Sequence, residues 1–149
     1  KDRLQSICRF CDTDFMGTNG QNGGAYQTHR ELVHQIRALW PEKGNFLSCT
    51  PYVVLTGGEP ALQVDSLLIQ ELHLIGFEVA IETNGTCELP PGIDWVCVSP
   101  KLQAELKTQK GHEIKIVFPQ ADLYPTDYEH LNFDHFFCNP WMMRILTTT

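Results

Sequence analysis

The hydrophobic residues of this chain fall into short blocks that alternate with polar and glycine-containing segments. Blocks of four to six residues that are rich in β-branched and aromatic side chains are typical of strands. They lie at 52–55, 77–81, 95–98, 112–117 and 134–137. The first, Tyr52-Val53-Val54-Leu55, is an uninterrupted apolar run, which predicts a strand that is buried on both faces.

A first helix is predicted over 29–40, where apolar residues repeat at helical spacing. The repeating residues are Leu32, Val33, Ile36, Leu39 and Trp40. Thr28 precedes the helix and Glu31 follows three positions later, a pattern that predicts an N-cap with a capping box. Pro41 and Gly44 are expected to end the helix.

A second helix is predicted to begin at Val64 or Asp65 and to end at Gly76. Its inner side is expected to carry Leu67, Leu68, Leu72 and Ile75. One or two further helical turns are predicted at 128–131, and the four glycines of 16–27 predict a loop.

Strands that alternate with helices predict βα units, and therefore an α/β fold with a mostly parallel sheet. Right-handed crossovers place the helices on one side when such a sheet curls into a barrel. Chemistry then gathers at the carboxyl ends of the strands. Polar clusters follow three predicted strands, at 56–60 (TGGEP), 82–85 (ETNG) and 99–101 (SPK). This repetition predicts a site at that edge of the sheet.

The composition is that of a folded domain. The chain has 149 residues, 42% of them hydrophobic and 19% charged, which predicts one domain rather than disorder. The net charge of −7 weighs against nucleic acid as a partner. No apolar run approaches the roughly 20 residues that span a bilayer, and Lys1-Asp2-Arg3 does not open a signal peptide. Six cysteines in a βα pattern favour a reducing cytoplasm over a disulfide framework.

Cys8 and Cys11 have the spacing of two metal ligands, because the turn between them can point both sulfurs at one iron or zinc. A zinc site needs a further local pair, which the sequence lacks, and a thioredoxin-type pair is normally followed by a helix rather than a glycine-rich loop. Two unrelated reduced thiols remain an alternative. Cys97 is predicted to be a buried strand residue.

The strand-end clusters carry groups suited to a polar ligand, although each could also be an ordinary turn. Gly57 and Gly58 allow the backbone to approach a ligand closely. Glu59 suits an ammonium or a ribose hydroxyl, and Glu82 ends an apolar strand, where its carboxylate needs a partner. Lys101 would bring a cation to a negative group.

Taken together, these motifs resemble those of a known family. The Cys-x-x-Cys-Asp-Thr run at 8–13, followed in order by the three strand-end clusters, is similar to the radical S-adenosylmethionine superfamily. Gly-Gly-Glu-Pro alone indicates only the superfamily. The whole combination, over about residues 1–137, resembles the 7-carboxy-7-deazaguanine synthase family. The resemblance implies a partial (βα) barrel of the radical S-adenosylmethionine type.

The resemblance also implies an activity. Three cysteines would bind a [4Fe–4S] cluster that holds S-adenosylmethionine, whose reductive cleavage gives a radical that abstracts hydrogen from 6-carboxy-5,6,7,8-tetrahydropterin. The ring contracts and ammonia leaves, a lyase step that forms 7-carboxy-7-deazaguanine for queuosine, a modified tRNA nucleoside. Mg²⁺ would assist, a flavodoxin would be a suitable reductant, and family members are homodimers.

Site residues follow from the resemblance by position. It implies that Cys8 and Cys11 are cluster ligands and that Thr13 binds Mg²⁺, an ion that prefers oxygen donors. Thr56 would bind substrate, and Glu82 would be the catalytic residue that hydrogen-bonds the pterin. The residues implied to bind S-adenosylmethionine are Phe10, Cys11, Asp12, Gly58, Glu59, Ser99, Pro100 and Lys101.

The two ends of the chain depart from the family pattern. In the usual pattern the third cluster cysteine stands four positions before Cys8, where this chain has Leu4. Some family members carry that cysteine about fifteen positions upstream of the pair instead. We therefore expect the third ligand and the first strand to precede residue 1. The chain thus reads as a single incomplete domain over 1–149. An inactive fragment is therefore an alternative, because two thiolates hold a cluster poorly. The edge left open by a missing first strand would also favour aggregation.

The tail at 138–149 is expected to be non-native. If 138–143 are encoded by TGC AAC CCA TGG ATG ATG, then starting one base earlier after a C gives Leu-Gln-Pro-Met-Asp-Asp, which begins with the family's usual Leu-Gln-Pro-Met. We therefore hypothesise a frameshift near Cys138. Sequencing the coding DNA tests it, since an intact frame from a full-length gene would refute it.

Two other functions remain open at the level of sequence. A glycyl-radical activase would share the cluster and Gly-Gly-Glu-Pro, but the combination of Cys-Asp-Thr with 82–85 and 99–101 argues against it. A non-enzymatic zinc-binding or interaction module is the second alternative.

Overall fold

The computed structural model describes residues 17, 18, 20, 21, 23–41, 49–102, 104–119 and 122–140. In these residues five strands and two α-helices form an α/β fold. The strands are β1 (Tyr52–Leu55), β2 (Glu78–Thr83), β3 (Trp95–Val98), β4 (Lys110–Phe118) and β5 (Asn132–Pro140). The helices are α1 (His29–Leu39) and α2 (Ser66–Leu74), and single 3₁₀ turns lie at Pro60–Leu62 and Pro125–Tyr128.

The five strands form one sheet in the order β1-β2-β3-β4-β5, and every neighbouring pair is parallel. The predicted α/β fold with a parallel sheet is therefore confirmed. Because the strands run in one direction, their carboxyl ends lie along one edge of the sheet. The prediction of a missing first strand concerns chain outside the described residues, and it stays a prediction.

Both helices begin at the residues that the sequence indicates. The Thr28 hydroxyl accepts a hydrogen bond from the Glu31 amide at 3.3 Å, which confirms the N-cap. The Glu31 carboxylate accepts from the amide of Gln27 at 2.8 Å instead of from Thr28, so the capping box is displaced by one residue. Asp65 caps α2, and Gly76 follows its end with φ +86°, as Gly-terminated helices do.

The helices pack against the sheet through one hydrophobic cluster. Its buried members are Val33, Leu68, Ile69, Leu72, Phe77 and Val79. The predicted inner residues Leu67 and Ile75 of α2 are exposed, as is Leu39 from the apolar repeat of α1, whereas the fully buried Ile69 was not predicted. The α2 sequence SLLIQELHL carries apolar residues on several faces, so periodicity alone could not select the face that contacts the sheet.

Strand β1 is not buried on both faces, contrary to the prediction. Val53 and Leu55 pack against the helix cluster, but Tyr52 and Val54 are exposed on the opposite face. The helices cover only one side of the sheet at this strand, so the alternate residues remain in contact with solvent.

Strands β4 and β5 are longer than the predicted 112–117 and 134–137. Cys138, Asn139 and Pro140 continue β5 and pair with Ile116, Val117 and Phe118 of β4. The helical turn that precedes β5 lies at Pro125–Tyr128 rather than at 128–131. Backbone pairing needs little of the side chains, so the frameshift hypothesis for 138–149 stays a prediction. Among the described helices, none is long and apolar enough to cross a membrane.

Candidate active site at the carboxyl ends of the strands

The turns that follow β1, β2 and β3 lie side by side. Leu55 pairs with Ile81 at the end of β1, and Thr83 pairs with Val98 at the end of β2. The amide of Ser99 then donates to the carbonyl of Thr83 at 2.8 Å. The three polar clusters that the sequence singles out are therefore neighbours at one edge of the sheet.

The carboxylate of Glu59 ties two of these turns together. Its Oε1 accepts from the Thr83 hydroxyl at 2.6 Å and from the Ala61 amide at 3.0 Å. Its Oε2 accepts from the Asn84 amide at 2.7 Å. A carboxylate offers about four acceptor positions, so these contacts leave about one for another donor, on the side of Oε2.

The glycines of these turns differ in what surrounds them. Gly57 and Gly58 have φ +81° and +58°, and a Cβ built on Gly58 would meet no heavy atom within 4 Å. A Cβ built on Gly85 (φ +77°) would collide with Leu106, and with Val98 at 2.8 Å. Gly85 is thus required by close packing, whereas the Cα of Gly58 faces open space that a ligand can approach.

Glu82 lies at the centre of a second set of contacts. Its Oε1 accepts from Lys115 Nζ at 2.8 Å, and its Oε2 accepts from the Thr56 hydroxyl at 3.3 Å. The predicted need of this carboxylate for a partner is therefore met by β4, two strands away in the sheet. Thr56 and Glu82 were both expected to bind substrate, and the structure brings them into contact.

The ionisation of this set follows from its contacts. The hydrogen bond from Lys115 is the main reason that the pKa of Glu82 is lowered. Burial pulls the pKa of Lys115 down, but the hydrogen bond to Glu82 and the nearby acidic groups outweigh burial, so the net shift is upward. Burial raises the pKa of the Cys97 thiol to about 12. Glu82 and Lys115 are thus an ion pair next to a neutral thiol.

The third turn holds its own lysine. Lys101 Nζ donates to the Ser99 hydroxyl at 2.7 Å and to the Ser99 carbonyl at 2.9 Å, and Pro100 between them is buried. The ammonium is therefore folded back on its own turn, at the edge of the sheet where the other two turns lie.

Five of the predicted site residues lie outside the described residues: Cys8, Phe10, Cys11, Asp12 and Thr13. In the part of the chain that the structure describes, there is no group of three or more His, Cys, Asp or Glu side chains that could hold a metal ion. The assignments of the cluster and of Mg²⁺ therefore stay predictions.

Sequence reasoning missed Lys115 and Thr83. Lys115 lies between Ile114 and Ile116, both buried, and a lysine inside an apolar strand was a usable signal that the opposite face carries polar groups. Thr83 was included in a turn motif, yet nothing local to it indicates its bond to Glu59, which lies 24 positions earlier.

A cavity of about 640 Å³ adjoins the site. It is bounded by the start of α1 and the end of β1, and it includes Thr56 and Gly57. No carboxylate or lysine is among its described lining residues. We assign the site to the strand-end groups because they supply the charged side chains that bind a polar ligand.

Comparisons with known proteins agree with the motifs. No protein-family model matches the chain. A 7-carboxy-7-deazaguanine synthase of Bordetella pertussis is 53% identical over 139 residues, which cover 93% of this chain and 64% of that protein. Proteins of the same name from Bradyrhizobium diazoefficiens and Nitratidesulfovibrio vulgaris are each 50% identical over 139 and 140 residues, 64% of their length. The chain therefore spans slightly less than two thirds of these curated relatives.

Proposed function

We propose that the chain belongs to the 7-carboxy-7-deazaguanine synthase family, to whose members it is about half identical, and that the protein carrying it converts 6-carboxy-5,6,7,8-tetrahydropterin to 7-carboxy-7-deazaguanine with loss of ammonia. The observation that carries this proposal is the identity of about half of the residues along 139 positions. The contacts at the strand ends support it, since they join the motifs through which the chain resembles the family.

The described residues fit one end of S-adenosylmethionine. The open space at the Cα of Gly58 allows close approach of a ligand, and Oε2 of Glu59 keeps about one acceptor position, which an ammonium can fill. Cys8 and Cys11 would hold the [4Fe–4S] cluster together with a third ligand. When bound, the cluster and S-adenosylmethionine would supply the radical chemistry that removes a hydrogen atom from the substrate.

The residues of the chain would then bind and orient. Glu82 is an ionised acceptor held from two sides, and it would take N–H donors of the pterin. Because its pKa is lowered by Lys115, Glu82 would act as a hydrogen-bond acceptor rather than as an acid. Ser99, Pro100 and Lys101 would line the adenosyl part, and Thr13 would bind Mg²⁺.

The compartment, the reductant and the assembly are proposed from the family resemblance as well. The protein would work in the reducing cytoplasm, where a flavodoxin supplies electrons, and it would assemble as a homodimer. The comparisons favour this function over a glycyl-radical activase, because the named relatives are synthases of the deazaguanine.

An anaerobic assay tests the proposal. The protein is reconstituted with iron and sulfide and incubated with S-adenosylmethionine, dithionite and the carboxytetrahydropterin. We expect 7-carboxy-7-deazaguanine and ammonia to form only when S-adenosylmethionine and dithionite are both present, because loss of ammonia from the substrate is redox neutral and the abstracted hydrogen is returned. Cleavage of S-adenosylmethionine without the deazaguanine would instead support the activase, and stoichiometric zinc without cluster absorbance would support the non-enzymatic module.

A further inference from the structure

The side chain of Lys115 reaches across one whole strand of the sheet. Glu82 of β2 pairs with Cys97 of β3, and Cys97 pairs with Glu113 of β4. Lys115 lies two residues further along β4, towards the carboxyl end. Neighbouring strands are about 4.8 Å apart, so the side chain of Lys115 must cross β3 completely to approach Glu82 to 2.8 Å.

The ion pair is asymmetric in its exposure. The Lys115 side chain is 25% exposed, whereas that of Glu82 is 45% exposed. Cys97, which lies between the two strands that carry them, is buried. The lysine thus supports the carboxylate from the protected side, and the carboxylate is the member of the pair that a ligand can contact.

Three elements restrict the orientation of Glu82. Its own strand β2 carries it, Lys115 of β4 bonds one carboxylate oxygen, and Thr56 at the end of β1 bonds the other. Two of about four acceptor positions are then used in the described contacts. The remaining two can accept a pair of N–H groups from a planar ligand, provided that the carboxylate stays ionised and does not rotate.

We propose that Lys115 is the positioning residue of the substrate site, because it holds Glu82 ionised and in one orientation for the N–H donors of the substrate. The identity of that substrate rests on the proposed function, whereas the coupling of Lys115 to Glu82 does not. Among the described residues, the titratable groups that act on the pKa of Lys115 are Glu82 from β2, Cys97 from β3 and Glu113 from β4. From β5, His135 pairs with Glu113. A lysine with this role is not replaceable by a neutral side chain of equal length.

The test compares Lys115→Met, which removes the charge but keeps the length, with Lys115→Arg, which keeps the charge. Lys110→Met is the matched control, since Lys110 is exposed at the start of the same strand. The δ-carbon of Glu82 is titrated by NMR in the reconstituted protein, with the signal assigned from Glu82→Gln. We expect the pKa of Glu82 to rise in Lys115→Met and to stay low in Lys115→Arg and in the control.

The same variants are assayed for turnover. We expect Lys115→Met to raise KM for the carboxytetrahydropterin about tenfold or more, as loss of a hydrogen bond to a charged group does. The kcat at saturating substrate should fall less than KM rises, and Lys115→Arg should restore most of the KM. A positioning role predicts this split between KM and kcat together with the raised pKa of Glu82, whereas a merely structural lysine would not link the two.

The outcomes separate the two proposals. An unchanged pKa of Glu82 in Lys115→Met overturns the coupling, and a changed pKa with unchanged KM overturns the positioning role. If the unaltered protein does not process the pterin, the proposed function fails, while the titration still decides the coupling. If Lys115→Met does not fold, the comparison of Lys115→Arg with the unaltered protein must show a low pKa of Glu82 in both, or the coupling is rejected.

Discussion

At the scale of single residues, Glu59 has a structural role beside the cofactor contact that we propose for it. Its carboxylate accepts from Thr83, Asn84 and Ala61, which come from two different turns. The same side chain was expected from the sequence to meet the cofactor. Both roles are compatible because a carboxylate has more acceptor positions than these three donors fill.

We expect Glu59→Gln to destabilise the fold as well as to weaken cofactor binding. A glutamine side chain would direct N–H groups at one of the donors that Glu59 now accepts, and an unsatisfied polar contact of this kind costs about 1–3 kcal/mol. Urea unfolding measures the free energy. Glu88→Gln, at an exposed position, is the control, and equal stability of both variants would contradict the structural role of Glu59.

A pair of glycine variants separates the cost of backbone strain from the cost of overpacking. We expect Gly58→Ala to cost about 1–2 kcal/mol, because only the strain of positive φ opposes the new Cβ. Gly85→Ala carries the same strain, and overpacking against Leu106 and Val98 adds about 1–3 kcal/mol. Thermal unfolding of both variants checks the order. A less stable Gly58→Ala would show that the packing around Gly85 is misassigned.

At the scale of elements, the carboxylate of Asp94 joins the loop before β3 to α2 and β2. Asp94 Oδ2 accepts from the Val79 amide at 2.7 Å and contacts His73 Nε2 at 2.8 Å, so it connects β2 and the end of α2. Burial raises the pKa of Asp94, but the hydrogen bonds from Val79 and His73 outweigh burial and lower it. The ionised form is therefore the one that stabilises the native state.

The loss of stability in acid follows from the lowered pKa of Asp94. A carboxyl whose native pKa is lowered contributes stability above its ordinary pKa and loses it as the pH falls through the native pKa. We expect the unaltered protein to lose more stability than Asp94→Asn as the pH falls from about 5 through the ordinary carboxyl pKa of 3.8 to lower values. Urea unfolding at several pH values tests this, with Asp134→Asn as control, since Asp134 is an exposed residue of β5. Parallel pH profiles for all three proteins would refute the assignment.

At the scale of the whole molecule, the described sheet has two edges, β1 and β5. Phe136 and Phe137 of β5 are exposed, and edge strands with apolar side chains tend to associate with other chains. We therefore expect this chain, which spans 64% of a curated relative, to self-associate through β5.

We expect Phe136→Ser to reduce concentration-dependent self-association, because Phe136 is 46% exposed on the edge strand. Analytical ultracentrifugation measures the change. Leu74→Ser is a demanding control, since Leu74 is 80% exposed but lies at the end of α2 rather than in a strand. An equal effect of both variants would indicate general surface hydrophobicity instead of edge pairing.

The sequence by itself determined the alternation of strands and helices, the helix starts at Thr28 and Asp65, and the strand-end positions of the polar clusters. These features are local: capping, periodicity and turn residues act over a few positions. The family resemblance also depended on order and spacing along the chain. The comparisons later supported that resemblance through identities over 139 residues.

Only the tertiary structure decided which faces are buried and which side chains meet. It selected Ile69 over Leu67 in α2, left one face of β1 exposed, and brought Lys115 to Glu82 and Glu59 to Thr83. These two pairs are 33 and 24 positions apart. Their meeting depends on strand order and register, which are set by the packing of the whole sheet and are not encoded in any short segment.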